Sequence, residues 1–154
     1  MTSWSEFQFA EPEFAARVEA AMVRARHRTI ATLRADGSPR ISGIECEFVD
    51  GELRFGSMSG ARKLADLRRD PRFALHGPTI DPVAGDEGSW PGEAKVSGRA
   101  RSIGAIAGSG DGPEGEQFVA DIDSVTLTTL DAGAEHLVVE WWTPSNGLRR
   151  TERA

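Results

Sequence analysis

The stretch Gly56-Ser57-Met58-Ser59-Gly60-Ala61-Arg62-Lys63 leaves an alternating apolar run, turns through small residues and enters a short helical pattern with two cations in its first turn. Cations oppose the positive end of a helix dipole, so their presence there calls for a nearby anion. Free N–H groups at a helix N-terminus, the hydroxyls of Ser57 and Ser59, and an Arg62-Lys63 pair together have the chemistry to hold a phosphate. The competing reading is a solvated first turn in which Arg62 and Lys63 bridge to Asp66 or Asp70.

Other reactive residue types offer less. His27, His76 and His136 lie far apart and lack metal-ligand spacing, so no metal site is expected and the histidines read as structural or exposed. Cys46 is the only cysteine, which rules out an internal disulfide and a thiolate zinc site and leaves a small apolar strand residue. Glu45 and Glu47 stand two apart on a strand pattern and therefore point the same way, as on a solvated face. No nucleophile elbow or phosphate-loop signature occurs. Catalytic residues stay unassigned.

These residues need a scaffold, and 154 residues with 39% hydrophobic and 27% charged composition fit one domain. A net charge of −6 disfavours nonspecific binding to nucleic acid. No stretch approaches the ~18 apolar residues of a membrane span, and the opening Met1-Thr2-Ser3-Trp4-Ser5-Glu6 lacks the layout of a signal peptide, so a cytoplasmic protein without membrane or nucleic-acid partners is expected.

Apolar residues Phe14, Val18, Ala21, Met22 and Ala25 recur at helical spacing over residues 13–26. After that the period changes to two, giving strand candidates at 29–34, 40–49, 52–56, 72–76, 93–103, 124–130 and 135–142. Asp36-Gly37 and Asp50-Gly51 separate the first three as hairpin turns. Residues 61–70 read as a short helix with Leu64 and Leu67 inward, stopped before Pro71. Segments 79–91 and 104–115 read as surface loops, and 114–121 as a helical turn or two. The pattern predicts a mainly β protein with short helices, organised as a small closed or partly closed barrel. In the last strand Leu137, Val139 and Trp141 are expected to face the core. Val138 and Trp142 then need cover from a local helix or, as preferred, a partner subunit.

Leu53-Arg54-Phe55-Gly56-Ser57 leading to Ala61-Arg62-Lys63, then Asp70-Pro71-Arg72-Phe73-Ala74-Leu75, Val96-Ser97-Gly98-Arg99-Ala100 and the closing segment from Trp142 to Arg150, resembles the pyridoxamine 5′-phosphate oxidase-like split-barrel superfamily. The resemblance is closest to actinobacterial members that use FMN or the deazaflavin coenzyme F-420. It implies a split β-barrel of the FMN-binding type and a homodimer, with the cofactor ring in a groove between subunits. It places Arg62 and Lys63 on the family's phosphate-binding pair, and Ser57 where a Ser or Thr commonly meets the cofactor. Met58 and Ser59 fall in the same corner, and Arg40 matches an arginine directed at the phosphate. Glu45 stands where the FMN oxidases have a second-strand lysine, and the chain has no tyrosine, so pyridoxamine phosphate oxidation itself is disfavoured.

The expected function is a flavin- or deazaflavin-dependent oxidoreductase transferring hydride between F-420, or FMN, and a small organic substrate. The alternative is a non-catalytic protein that binds FMN, F-420 or haem for storage or sensing. A single domain spans 1–154, with an N-terminal helical segment 1–27, a barrel 28–143 and a C-terminal tail 144–154. Arg149 and Arg150 are candidates to extend the cation groove for a longer anionic cofactor tail.

Overall fold

The computed structural model describes residues 1–106 and 114–154. Two helices, α1 (Trp4–Ala10) and α2 (Pro12–Met22), precede the hairpins β1 (Arg28–Leu33)–β2 (Pro39–Ile44) and β3 (Cys46–Val49)–β4 (Glu52–Met58). Helix α3 (Arg62–Arg69) leads to β5 (Arg72–His76), β6 (Glu93–Ile106), β7 (Gly115–Leu130), β8 (Leu137–Thr143) and β9 (Gly147–Arg153). The strands pair in the order β2-β1-β5-β6-β7-β4-β3, with β8 added to β7 and β9 to β8. The two ends of that path, β2 and β3, are consecutive in the chain, so the sheet curls until its edges meet and becomes a split barrel. Ile30, Leu53, Phe55, Leu75, Val96, Ile122 and Val125 fill its interior.

The run 40–49 is not one strand as expected. It breaks at Glu45 because its first half pairs with β1 and its second with β4. Arg28 secures the switch by donating from Nη1 to the Cys46 carbonyl at 2.9 Å and from Nε to the Met22 carbonyl at the end of α2 at 2.8 Å. Both hairpin turns form where Asp-Gly stands, with Gly37 at φ +84° and Gly51 at φ +74°. Residues 77–92 contain only a 3-10 turn at Glu87–Ser89, as the loop expectation required.

Residues 115–121 are strand, not the helical turn expected over 114–121. Phe118, Val119 and Ala120 are buried consecutively, because β7 is a central strand bonded to β6 on one edge and β4 on the other. Much of the expected 104–115 loop, residues 107–113, lies outside the described residues; its flanks are strand. The expected C-terminal tail turns through Gly147, at φ +66°, into β9 against β8.

Helix α1 lies in the expected N-terminal helical segment but precedes residues 13–26, which carry the helical periodicity, and it reverses the expected orientation of β8. Ser3 caps it reciprocally with Glu6, and its inner face carries buried Trp4 and Phe7. Phe7 packs on Trp142 with ring centroids 4.8 Å apart, so Val138 and Trp142 face the core while Leu137 is 43% exposed. A local helix therefore covers the face for which a partner was preferred. Among the described residues no helix is long and apolar enough to cross a membrane.

Phe7 is fully buried between Trp4, Phe14 and Trp142. Phe7→Ala should cost about 3–5 kcal/mol of unfolding free energy in a urea titration. A loss below about 1 kcal/mol would show that α1 is dispensable to the core.

Candidate functional site

Strand β4 ends at Met58, and the chain reaches α3 through a tight corner. Ser59 N–H donates to the Glu114 carbonyl at 2.7 Å, Gly60 takes φ +81°, and Ala61 N–H donates to the Met58 carbonyl at 3.1 Å. Ala61 is the N-cap and has no polar side chain to offer, so no side chain caps α3; of the first-turn N–H groups Leu64's donates to the Ala61 carbonyl at 3.1 Å, and those of Arg62 and Lys63 have no backbone partner among the described residues. The ion pairs of the competing reading, from Arg62 and Lys63 to Asp66 or Asp70, do not form. Asp70 is held by Arg72 at 2.6 Å, and Asp66 by Arg40 at 2.6 Å and Arg69 at 2.9 Å. Arg62 is exposed with no carboxylate partner among the described residues, and Lys63 Nζ donates only to the Gly43 carbonyl at 3.3 Å.

Asp66 is the organising charge. It is buried at 2% exposure, and its carboxylate accepts from Arg40 Nε, from Arg69 Nη2, and from Thr32 Oγ1 at 2.8 Å. Burial alone would push this carboxyl up, but the hydrogen bonds from Arg40, Thr32 and Arg69 outweigh it and hold the pKa down to about 2. One carboxylate thereby ties β1, β2 and α3 together. The competing sequence reading paired Asp66 along the helix with Arg62 or Lys63, whereas Arg40 and Thr32 arrive from strands.

The structure brings Arg40 and Arg62 into a single cleft of about 410 Å³ between the β1–β2 turn and α3. It joins them there with Arg34 and Arg69, which the sequence reading did not single out. The seven-residue spacing of Arg62 and Arg69, two helical turns, was the available signal. Lys63 stands apart over β2. Ser59 lines another cleft with Arg68, and Met58 is 57% exposed. Ser57 is 4% exposed, and its Oγ is the buried side-chain polar atom left without a hydrogen-bond partner among the described residues. The six expected residues thus surround one corner without lining one cavity.

On the other side of β4 a cleft of about 310 Å³ includes Glu45, Gly56, Ile106 and Gln117. A Cβ on Gly56 would come within 2.9 Å of Ile106 Cδ1, so glycine there admits the isoleucine. Glu45 is paired with Arg26 at 2.9 Å. Burial pushes the Cys46 thiol up, away from the reactive thiolate. His76 Nε2 lies 3.7 Å from Glu93, His136 Nδ1 is 3.0 Å from Asp131, and His27 is exposed. Arg149 and Arg150 do not extend the corner within one chain. They sit on β9 level with the Thr126 end of β7, whereas Met58 pairs with Gly115, on the order of 30 Å away along the strand.

Comparison with known proteins places this geometry in context. The model of the family described as pyridoxamine 5′-phosphate oxidase matches residues 13–109. No curated protein matches the chain. A pyridoxamine 5′-phosphate oxidase-related, FMN-binding protein from Nostoc punctiforme superposes with TM-score 0.63 at 11% identity, over 94% of this chain and 96% of that one. PhzG from Burkholderia lata, solved with tetrahydrophenazine-1-carboxylic acid, gives 0.64 at 10% identity over 97% and 92%. A structure described as F420 reductase gives 0.52 at 18% identity over 70% and 94%. Identities this low establish a shared fold.

Because the Asp66 pKa falls from an ordinary 3.8 to about 2 on folding, its contribution is complete above about pH 4 and is lost as pH drops toward 2. Asp66→Ala should cost about 3–5 kcal/mol at pH 7, since Arg40, Arg69 and Thr32 all lose their partner. It should also flatten the decline in stability between pH 4 and 2. Urea titrations at several pH values check both, and an unchanged acid limb in the variant would contradict the assignment.

Proposed function

Because the chain belongs to the pyridoxamine 5′-phosphate oxidase family, we propose that it binds FMN or coenzyme F-420 at the β4–α3 corner and works as an oxidoreductase on a small organic substrate. The observation that carries this reading is the N-terminus of α3, which no side chain caps and where Arg62 and Lys63 have no carboxylate partner among the described residues, while the aspartates at 66 and 70 are taken by other arginines. The names of the structural neighbours, an FMN-binding protein and an F420 reductase, support the same class.

The residues present fit a phosphorylated cofactor. Arg62 and Lys63 supply two cations and the first turn of α3 supplies N–H donors, while Ser57 Oγ, buried near the end of β4, has no hydrogen-bond partner among the described residues. Arg40 reaches the same corner with its Nε held by Asp66, which fixes the direction of its remaining N–H groups. Met58 and Ser59 form the exposed lip. The bound cofactor would supply hydride transfer, and the protein's part is to orient it, exclude water and set the local charge.

Two features favour F-420 over FMN. Glu45, paired with Arg26, occupies the place where FMN oxidases have a lysine, and four arginines rather than one line the cleft beside α3. The proposal includes a homodimer. The outer face of β2, β1 and β5 presents Ile41, Ala31 and Ala74 in register, and β8 adds half-buried Trp141 and exposed Leu137. Outward small and apolar side chains on these strands suit a second copy.

Each charge-assisted phosphate contact is worth ~1.5–3 kcal/mol, so Arg62→Ala with Lys63→Ala should weaken cofactor binding at least tenfold. Parallel fluorescence titrations should also show F-420 binding more tightly than FMN. Unchanged affinity in the double variant would remove the corner from the site, and FMN binding as tightly as F-420 would reverse the preference. Light scattering should report a dimer at micromolar concentration, and a monomer would count against the shared face.

A further inference from the structure

The β8–β9 hairpin turns through Pro144, Ser145 and Asn146 into Gly147, with the Asn146 N–H donating to the Thr143 carbonyl at 3.3 Å. Asn146 is the only asparagine in the sequence, and glycine follows it. Asn146 is exposed, and Gly147 takes φ +66° with no described atom within 4 Å of where a Cβ would stand. Attack of the Gly147 nitrogen on the Asn146 side-chain carbonyl carbon, Cγ, closes a five-membered ring. A side chain on the following residue is what ordinarily crowds that approach, and here there is none.

The carboxamide is set up for the reaction. Arg149 Nη2 donates to Asn146 Oδ1 at 3.4 Å, so a cation faces the oxygen on which negative charge develops during attack. Nδ2 donates to Thr143 Oγ1 and Ser145 Oγ, both at 3.2 Å, which places two hydroxyls beside the leaving nitrogen. The two Asp-Gly turns differ. Asp36 and Asp50 offer ionised carboxylates, which are poor electrophiles. The Gly37 N–H is held by the Arg34 carbonyl at 2.9 Å, and a Cβ on Gly51 would come within 2.9 Å of Ser5 Cβ.

We propose that Asn146 is a site of spontaneous covalent modification, in which the Gly147 nitrogen displaces ammonia from the carboxamide. The N–Cγ bond forms, the Cγ–Nδ2 bond breaks, the Gly147 N–H proton leaves with the ammonia, and a succinimide results. Water then adds to one of its two carbonyls and opens the ring to aspartate or isoaspartate. Either product adds a negative charge against Arg149, and isoaspartate also lengthens the main chain by one methylene. Strand β9 is bonded to β8 alone, so its pairing is what the altered turn would loosen.

Incubation of the full chain at mildly alkaline pH, followed over time by peptide mapping, tests this independently of any cofactor. The peptide bearing position 146 should lose the mass of ammonia and gain that of water, with isoaspartate among the products, at a rate within about tenfold of the urea-unfolded chain. Gly147→Ala crowds the approach and strains the positive φ, and should slow the reaction about tenfold or more. Arg149→Gln, exposed on β9, should slow it about threefold by removing the charge that faces Oδ1. Thermal melts would establish that both variants fold. A folded chain slower than that tenfold limit, or unchanged rates in the two variants, would overturn the proposal.

Discussion

A buried carboxylate needs compensating donors, and Asp66 obtains them from three different elements. Thr32 on β1, Arg40 on β2 and Arg69 on α3 converge on its two oxygens. The arrangement fixes α3 against the first hairpin, and with it the direction in which the helix N-terminus points. It also decides which cations are available. By engaging Arg40 and Arg69, Asp66 leaves Arg62 and Lys63 without a carboxylate among the described residues, and a first turn with two such cations and no side-chain cap has its charge facing outward. The candidate site is therefore a consequence of where a different ion pair forms.

The barrel supplies the rigid frame behind this corner. Strand β7 runs between β6 and β4, and a side chain on Gly115 would collide with the Ser57 carbonyl, so β4 is held tightly just before it turns toward α3. At the opposite end of β7, α1 places Phe7 on Trp142 and closes the core. Both ends of the molecule are thus set by contacts between residues far apart in sequence. The corner itself consists of local geometry, the positive φ of Gly60 and the bond from Ala61 N–H to the Met58 carbonyl.

That division explains what the sequence revealed. The Asp-Gly turns, the α3 segment ending before Pro71, and β5 are encoded by neighbouring residues and were legible. The orientation of β8 was not, because Leu137 to Trp142 is apolar on both faces and only Phe7 of α1 selects one. Helix α1 did carry a signal, the Ser3-x-x-Glu6 capping box, but it is only seven residues long and its stability comes from Trp4 and Phe7 packing elsewhere. Consecutive buried residues from Phe118 to Ala120 concealed the first half of β7, since a strand bonded on both edges and covered on both faces loses its alternation. At the site, the motif placed Arg62 and Lys63 correctly at the start of α3. The grouping of Arg34, Arg40 and Arg69 depended on the hairpin folding against the helix, which no local pattern states.

The central claim is that the uncapped start of α3 holds the phosphate of a flavin or deazaflavin. Native mass spectrometry with a visible spectrum, on protein produced in a host that makes both FMN and F-420, tests it most directly. The expected result is a mass increment matching one of those cofactors, with its absorbance, present in the unaltered chain and absent from the Arg62→Ala, Lys63→Ala variant. A haem Soret band, or a flavin retained equally by both proteins, would contradict it.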